Sequence, residues 1–319
     1  MFNFIYKNIN LLFFGFLIAF ASGFGQTFFI SLFSQDFRDT FELTNTEFGS
    51  LYSIATVLSA ITIIWAGKLI DTVSLRKYTL AIILGLALTC LMASFVFNVF
   101  YLFLVIYFLR LFGQGLMGHT SRTTMSRYFN TNRGKALAIS GFGFSVGEII
   151  YPAAVVFLLL TIGWRLTWLS SSIFILIFFG IFFYFIFKIN NFKKENNRDE
   201  KIDLSEISWR RRDVLKDLKF YTYLPLSLLM SFTVTGFLFH QVYIAEIKSW
   251  TLINLAQGFI FYAVSGITGS IISGILIDKL TGRKLIPIHL LPMLAIFIVM
   301  LFSDHVDVVY VSMAGFGVS

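Results

Sequence analysis

Long apolar runs, each close to one bilayer thickness, constrain this chain more than any other feature. A hydrocarbon core takes about 20 residues of helix per crossing. Candidate spans lie near 9–32, 47–69, 78–97, 99–121, 136–160, 166–188, 220–244, 252–277 and 285–302, and a tenth begins near 306. The runs are too long and too uniformly apolar for barrel strands, so the expected fold class is an all-α membrane protein. Composition agrees. Of the 319 residues 57% are apolar and only 13% charged, where a soluble domain carries about 25% charged residues. Cys90 is the lone cysteine, which excludes an intrachain disulfide framework.

The net charge of +8 points to a membrane face rather than to nucleic acid. Lys68, Arg76 and Lys77 follow the second span, Arg122, Arg127, Arg133 and Lys135 the fourth, and Lys279, Arg283 and Lys284 the eighth. The alternate loops hold only Arg38, Arg165 and Lys248. Basic loops stay in the cytoplasm, so the expectation is a multi-pass protein of the cell (inner) membrane with a cytoplasmic N-terminus. Residues 188–219 form the long polar stretch, with ten Lys/Arg and seven Asp/Glu. They read as a linker between halves, with an amphipathic helix expected near 203–218. The expected organisation is 1–188, a first half of six spans; 189–219, a cytoplasmic linker; and 220–319, a second half.

One charged turn is written twice. "GKLIDTVSLRK" runs from Gly67 to Lys77 and "GILIDKLTGRK" from Gly274 to Lys284, offset by 207 residues at each matched position. Both copies follow the second span of a half and run in the same direction. The chain thus reads as a parallel internal repeat, related by an axis along the membrane normal. Small Gly67 and Gly274 permit close helix approach. Asp71 and Asp278 end their helices, where each can meet a helix start or an arginine. Arg76, Lys77, Arg283 and Lys284 complete the two turns.

The turn resembles the loop motif G-x-L-x-D-(R/K)-x-G-(x)-R-(R/K) of the major facilitator superfamily. The resemblance implies a major facilitator fold of two six-span halves, and the eight residues just named as a cytoplasmic latch. Ser74 and Thr281 replace the usual turn glycine, and Thr72 the usual basic residue. The family has twelve spans. About ten are present, so a second half that is incomplete, in a truncated sequence, is the expectation. Asp71 would then lack its partner on an eleventh span, while Asp278 is expected near Arg133 to Leu137.

Ionisable groups inside spans are functional candidates. Arg110 and Glu148 each lie 19 residues from Phe129, which predicts one depth and a pair; Arg110 can alternatively hold an anionic substrate. "RLFGQG" and "GFGFSVGEIIYP" resemble the family's fourth- and fifth-span motifs. Matching Ser22-Gly23-Phe24 with Thr235-Gly236-Phe237 sets Thr27 opposite His240, and makes Gln26, Thr27, His240 and Gln241 candidate cavity lining or a proton path. "SRYFNTNRGKALAISGFGFSVGEIIYP" and "FHQVYIAEIKSW" look most like the branch of monocarboxylate and oxalate/formate carriers. That implies a secondary transporter of a small organic anion, moved with a proton, working as a monomer in the bilayer. An exporter of hydrophobic compounds and a non-transporting receptor on the same fold are the alternatives. No H-E-x-x-H, Lys-bearing phosphate loop or Cys/His metal cluster occurs, so neither an enzyme, a cofactor nor a metal is expected.

Overall fold

The structure, a computed structural model, describes residues 2–129, 132–189, 211–280 and 282–318. All regular structure among them is helical. Six helices are long and apolar enough to cross a bilayer, and a bent first pair makes seven. The bundle has a near end, where the chain enters it, and a far end.

Span one rises as Ile9–Ala21, tightens over Ser22–Gly25 and breaks at Gln26, whose φ of −79° and ψ of 154° are extended. Thr27–Phe41 continues at 41° to the first part. Span two (Asn45–Ala66) starts on a capping box in which Thr44 and Glu47 satisfy each other's backbone N–H groups. Span three is Leu75–Ser94. Span four (Val99–Tyr128) contains a π-helical stretch, Arg110–Met117.

Spans five and six are joined without a loop in Arg133–Ile186. Gly163 alone turns the chain, at φ 75° and ψ 169°, a region open essentially to glycine. Span six then runs back along span three: Arg165 Nη1 donates to Ser94 O and Val96 O, and Ser172 Oγ to Ala87 O. Spans seven (Leu218–Ile247), eight (Leu252–Leu280), nine (Gly282–Phe302) and ten (Asp307–Val318) follow. Of the expected linker helix, Arg211–Lys216 is seen; residues 190–210 lie outside the described residues.

Aromatic packing forms the inside of spans one to six. Tyr151 stacks on Phe20 at 4.7 Å and donates its hydroxyl to Phe20 O at 3.0 Å. Trp168, fully buried, packs on Phe33 at 4.5 Å and on Phe29 at 5.4 Å. Large apolar side chains also cover the outside: Phe100, Phe157 and Leu160 are each more than 60% exposed. That surface suits lipid, where burial inside the protein is not the only escape from water.

Candidate functional site

The break in span one and the π-turn in span four meet at one level. Gly25 and Gly113 touch backbone to backbone, and a Cβ on Gly113 would lie 2.5 Å from Gly25 Cα. This contact brings Arg110 against the loosened carbonyls of the break. Arg110 is buried at 5% exposure, and its Nη1 donates to Gly25 O and to Thr27 Oγ1, both at 3.2 Å. Its guanidinium carbon lies 5.3 Å above the Tyr52 ring, and the Tyr52 hydroxyl donates to Thr27 Oγ1 at 2.9 Å. Thr27 therefore accepts from both, and its two lone pairs are used. Among the described residues no carboxylate pairs with Arg110, and its Nε has no hydrogen-bond partner.

The expected Arg110–Glu148 pair is not formed. The reason is the π-turn: it carries Arg110 toward span one, while Glu148 comes within electrostatic reach of Tyr262 on span eight. Gln26 sits in the break, partly buried. Gln241 is 1% exposed, and its amide donates to Phe28 O at 3.1 Å and Ser31 Oγ at 2.7 Å. It ties span seven to the second part of span one rather than lining open space. His240 Nδ1 faces Asn45 Nδ2 at 3.4 Å, at the first turn of span two. Thus Thr27 joins the Arg110 cluster, and His240 and Gln241 belong to the far end.

The far end is closed by further contacts across the same seam. Arg38 Nη2 meets Glu246 Oε1 at 2.5 Å, and the Arg38 guanidinium lies 5.4 Å from the centre of the Tyr243 ring. Phe239 stacks on Phe48 at 5.5 Å and packs on Tyr52 at 4.5 Å. Phe28 meets Phe259 of span eight at 5.6 Å.

At the near end Asp71 forms an ion pair with Arg127, which also donates to Ile70 O at 3.3 Å. The carboxylate expected to lack its partner has one on span four. Gly67 is buried beside the ring of His119, and Arg76 and Lys77 are exposed. Gly274, Asp278, Arg283 and Lys284 lie outside the described residues in their side chains, and so does the contact expected of Asp278.

Tyr52, Arg38, Asn45, Glu246 and Arg127 are additions to the sequence candidates. Tyr52 carried no signal in a chain with 40 Phe and 13 Tyr. Arg38 and Glu246 carried none either: they stand 208 residues apart, and nothing in the sequence sets one against the other.

The family model for the major facilitator superfamily matches residues 15–319. The chain is a member of the major facilitator superfamily. Curated proteins give no match to this member. Among solved structures, it is similar to a bacterial homolog of the human lysosomal transporter Spinster, inward-facing and unoccupied. The TM-score is 0.70 and the identity 14%, over 97% of this chain and 73% of the other. The occupied form of that protein gives 0.63 and 18%, over 98% and 73%. The inward-open xylose transporter XylE from E. coli gives 0.59 and 16%, over 98% and 80%. At these identities the likeness establishes the fold alone; the family match makes this a membrane-embedded chain of a transporter superfamily, and the substrate is a separate matter.

Proposed function

We propose that this protein is a secondary transporter that moves a small, monocarboxylate-like organic anion by alternating access, with Arg110 as its anion-binding group. The observation that carries this is a buried guanidinium held by neutral partners, Gly25 O and Thr27 Oγ1, with no carboxylate beside it among the described residues. An unneutralised buried charge is costly, and a carboxylate substrate offsets that cost with charge-assisted hydrogen bonds. Glu148 is the residue we assign to proton coupling, and Gln26 offers an amide beside the anion.

The halves, 1–188 and 220–319 joined by 189–219, rock about this level. The lysine and arginine distribution makes the near end cytoplasmic in a cell inner membrane. The ion pair and hydrogen bonds across the far end support an inward-facing state, the state in which the Spinster homolog and XylE were solved. Asp71 with Arg127 forms the first latch, with Arg76 and Lys77 in the same turn; the second is assigned, from its sequence, to the turn that holds Gly274, Asp278, Arg283 and Lys284. The protein works as a monomer.

A second reading, export of hydrophobic compounds, is favoured by an apolar groove of about 550 Å³ between spans eight, nine and ten, lined by Phe261, Val264, Ile272 and Pro292 among others. Arg110 separates the two. In liposomes, uptake of radiolabelled lactate and oxalate with and without an inward proton gradient is expected in the wild type. Arg110→Ala is expected to weaken it by about 10- to 150-fold, the worth of a hydrogen bond to a charged group. Unchanged anion uptake by Arg110→Ala, or efflux of apolar dyes alone, overturns the anion reading.

A further inference from the structure

Tyr52 touches both the buried cation and the far-end seam, and no other role has been given to it. It lies two turns into span two and is 5% exposed. Its hydroxyl donates to Thr27 Oγ1 at 2.9 Å, and its ring lies under the Arg110 guanidinium at 5.3 Å. The same ring packs on Phe239 of span seven at 4.5 Å, with the planes inclined by 42°. Phe239 is followed directly by His240 and Gln241, which bond across the seam to Asn45, Phe28 and Ser31.

We infer that Tyr52 is a positioning residue that couples the charge state of Arg110 to the far-end seal between spans one, two and seven. A cation above an aromatic face is attracted to the ring quadrupole, more strongly where water is excluded. With Arg110 bare, the ring is held from above by that attraction and at its edge by Thr27. So held, it presents a fixed surface to Phe239. An anion seated on the guanidinium neutralises the field at the ring. The ring is then held by Thr27 alone, its contact with Phe239 loosens, and the residues of the seal lose their backing. Only a differential effect on the two conformations moves their balance, and the cation–ring contact supplies one. Tyr52 itself contacts no substrate. The inference rests on Arg110 being the anion site, and its test is built so that the two can fail separately.

The test uses the full chain in liposomes, with spin labels at Thr46→Cys and Ile247→Cys. Both positions are exposed at the far end, one on each side of the seam, and native Cys90 is fully buried. Arg110→Gln imitates neutralisation without any ligand. In the Tyr52 parent it is expected to change the ratio of far-end-open to far-end-closed conformers by about two- to thirtyfold, the range of a cation–ring contact. In a Tyr52→Leu background the same substitution is expected to change nothing. Phe239→Leu, which breaks the next contact in the chain, is expected to abolish the shift as well and serves if Tyr52→Leu fails to fold. Tyr52→Phe keeps the ring, so the shift is expected to persist. The loss of the Thr27 bond then shows as a raised KM for lactate at little-changed kcat. A merely structural Tyr52 would lower stability and leave the Arg110→Gln shift intact. A shift that survives Tyr52→Leu or Phe239→Leu overturns the coupling, and so does the absence of any shift in the parent. No uptake of lactate or oxalate, together with a Tyr52-dependent shift, rejects the anion and keeps the coupling.

Discussion

Gly25 and Gly113 leave no room for a methyl group on either side of their contact. A Cβ on Gly25 would lie 2.1 Å from Leu109 O and 2.7 Å from Gly113 Cα. All these atoms are backbone, so no rotamer change relieves the clash. Overfilling a packed site costs about 1–3 kcal/mol. Gly25→Ala is therefore expected to lower the melting temperature in detergent, and also to weaken anion uptake, because Gly25 O moves away from Arg110. A Gly25→Ala protein that melts and transports like the wild type would mean that spans one and four are free to separate here.

The Arg38–Glu246 pair is short and shielded, with the two side chains 11% and 29% exposed. Removing one partner leaves Arg38 unpaired, with an Nε that already has no partner. Hydrogen bonds to charged groups are worth about 1.5–3 kcal/mol. Glu246→Gln is expected to raise the rate at which an impermeant maleimide labels Ser34→Cys, a position one turn before Arg38 that is 4% exposed, by about tenfold or more. Replacing both residues by Met should restore much of the closure, since apolar substitutes for a shielded pair are often neutral. Equal labelling rates in the wild type and Glu246→Gln would remove this pair from the seal.

Asp71 and Arg127 are 55% and 40% exposed, so water and salt screen them. Such pairs contribute about 0–1 kcal/mol. Asp71→Asn is expected to leave the melting temperature almost unchanged while altering the transport rate. The reversed pair, Asp71→Arg with Arg127→Asp, should recover the wild-type rate. Salt should narrow the difference between wild type and Asp71→Asn. A reversed pair as defective as the single variant would show that position, rather than mutual attraction, is what matters.

Gly163 makes the whole connection between spans five and six. Its backbone angles cost another residue about 1–3 kcal/mol, although nothing lies within 4 Å of the position a Cβ would take. Gly163→Ala is thus expected to destabilise through backbone strain alone. Thermal melting checks this, and a second variant, with a glycine inserted directly after the substituted position, should regain the loss. An unshifted transition in Gly163→Ala would mean that the turn relaxes freely.

Much of this architecture was legible in the sequence. Apolar length located the helices, because lipid forces the backbone to satisfy itself within each crossing. The repeated turn identified the family, and the sequence singled out Arg110, an arginine inside a span. What failed was local phase. Equal distances of Arg110 and Glu148 from Phe129 predicted equal depth, but facing each other depends on rotation about the helix axis. The π-turn at Arg110–Met117 and the break at Gln26 both change that rotation, and neither has a residue signature of its own. Tyr52 was invisible for another reason: its importance lies in what it touches, Thr27, Arg110 and Phe239, on three other helices. Arg38 and Glu246 were hidden in the same way, since their pairing depends on how spans one and seven pack.

The π-turn has a consequence for how span four can be altered. Each residue of an α-helix advances the chain by about 100° around its axis, and a π-turn absorbs one residue more than an α-turn over the same length. The stretch Arg110–Met117 therefore acts as a phase offset between the buried cation above it and Arg127 below. Deleting a single residue there would let the stretch wind as an ordinary helix with both ends keeping their present headings. Substitution leaves the count intact, and deletion elsewhere in the span would swing Arg127 away from Asp71. Span four thus carries a reserve of one residue, placed at the level of its charge.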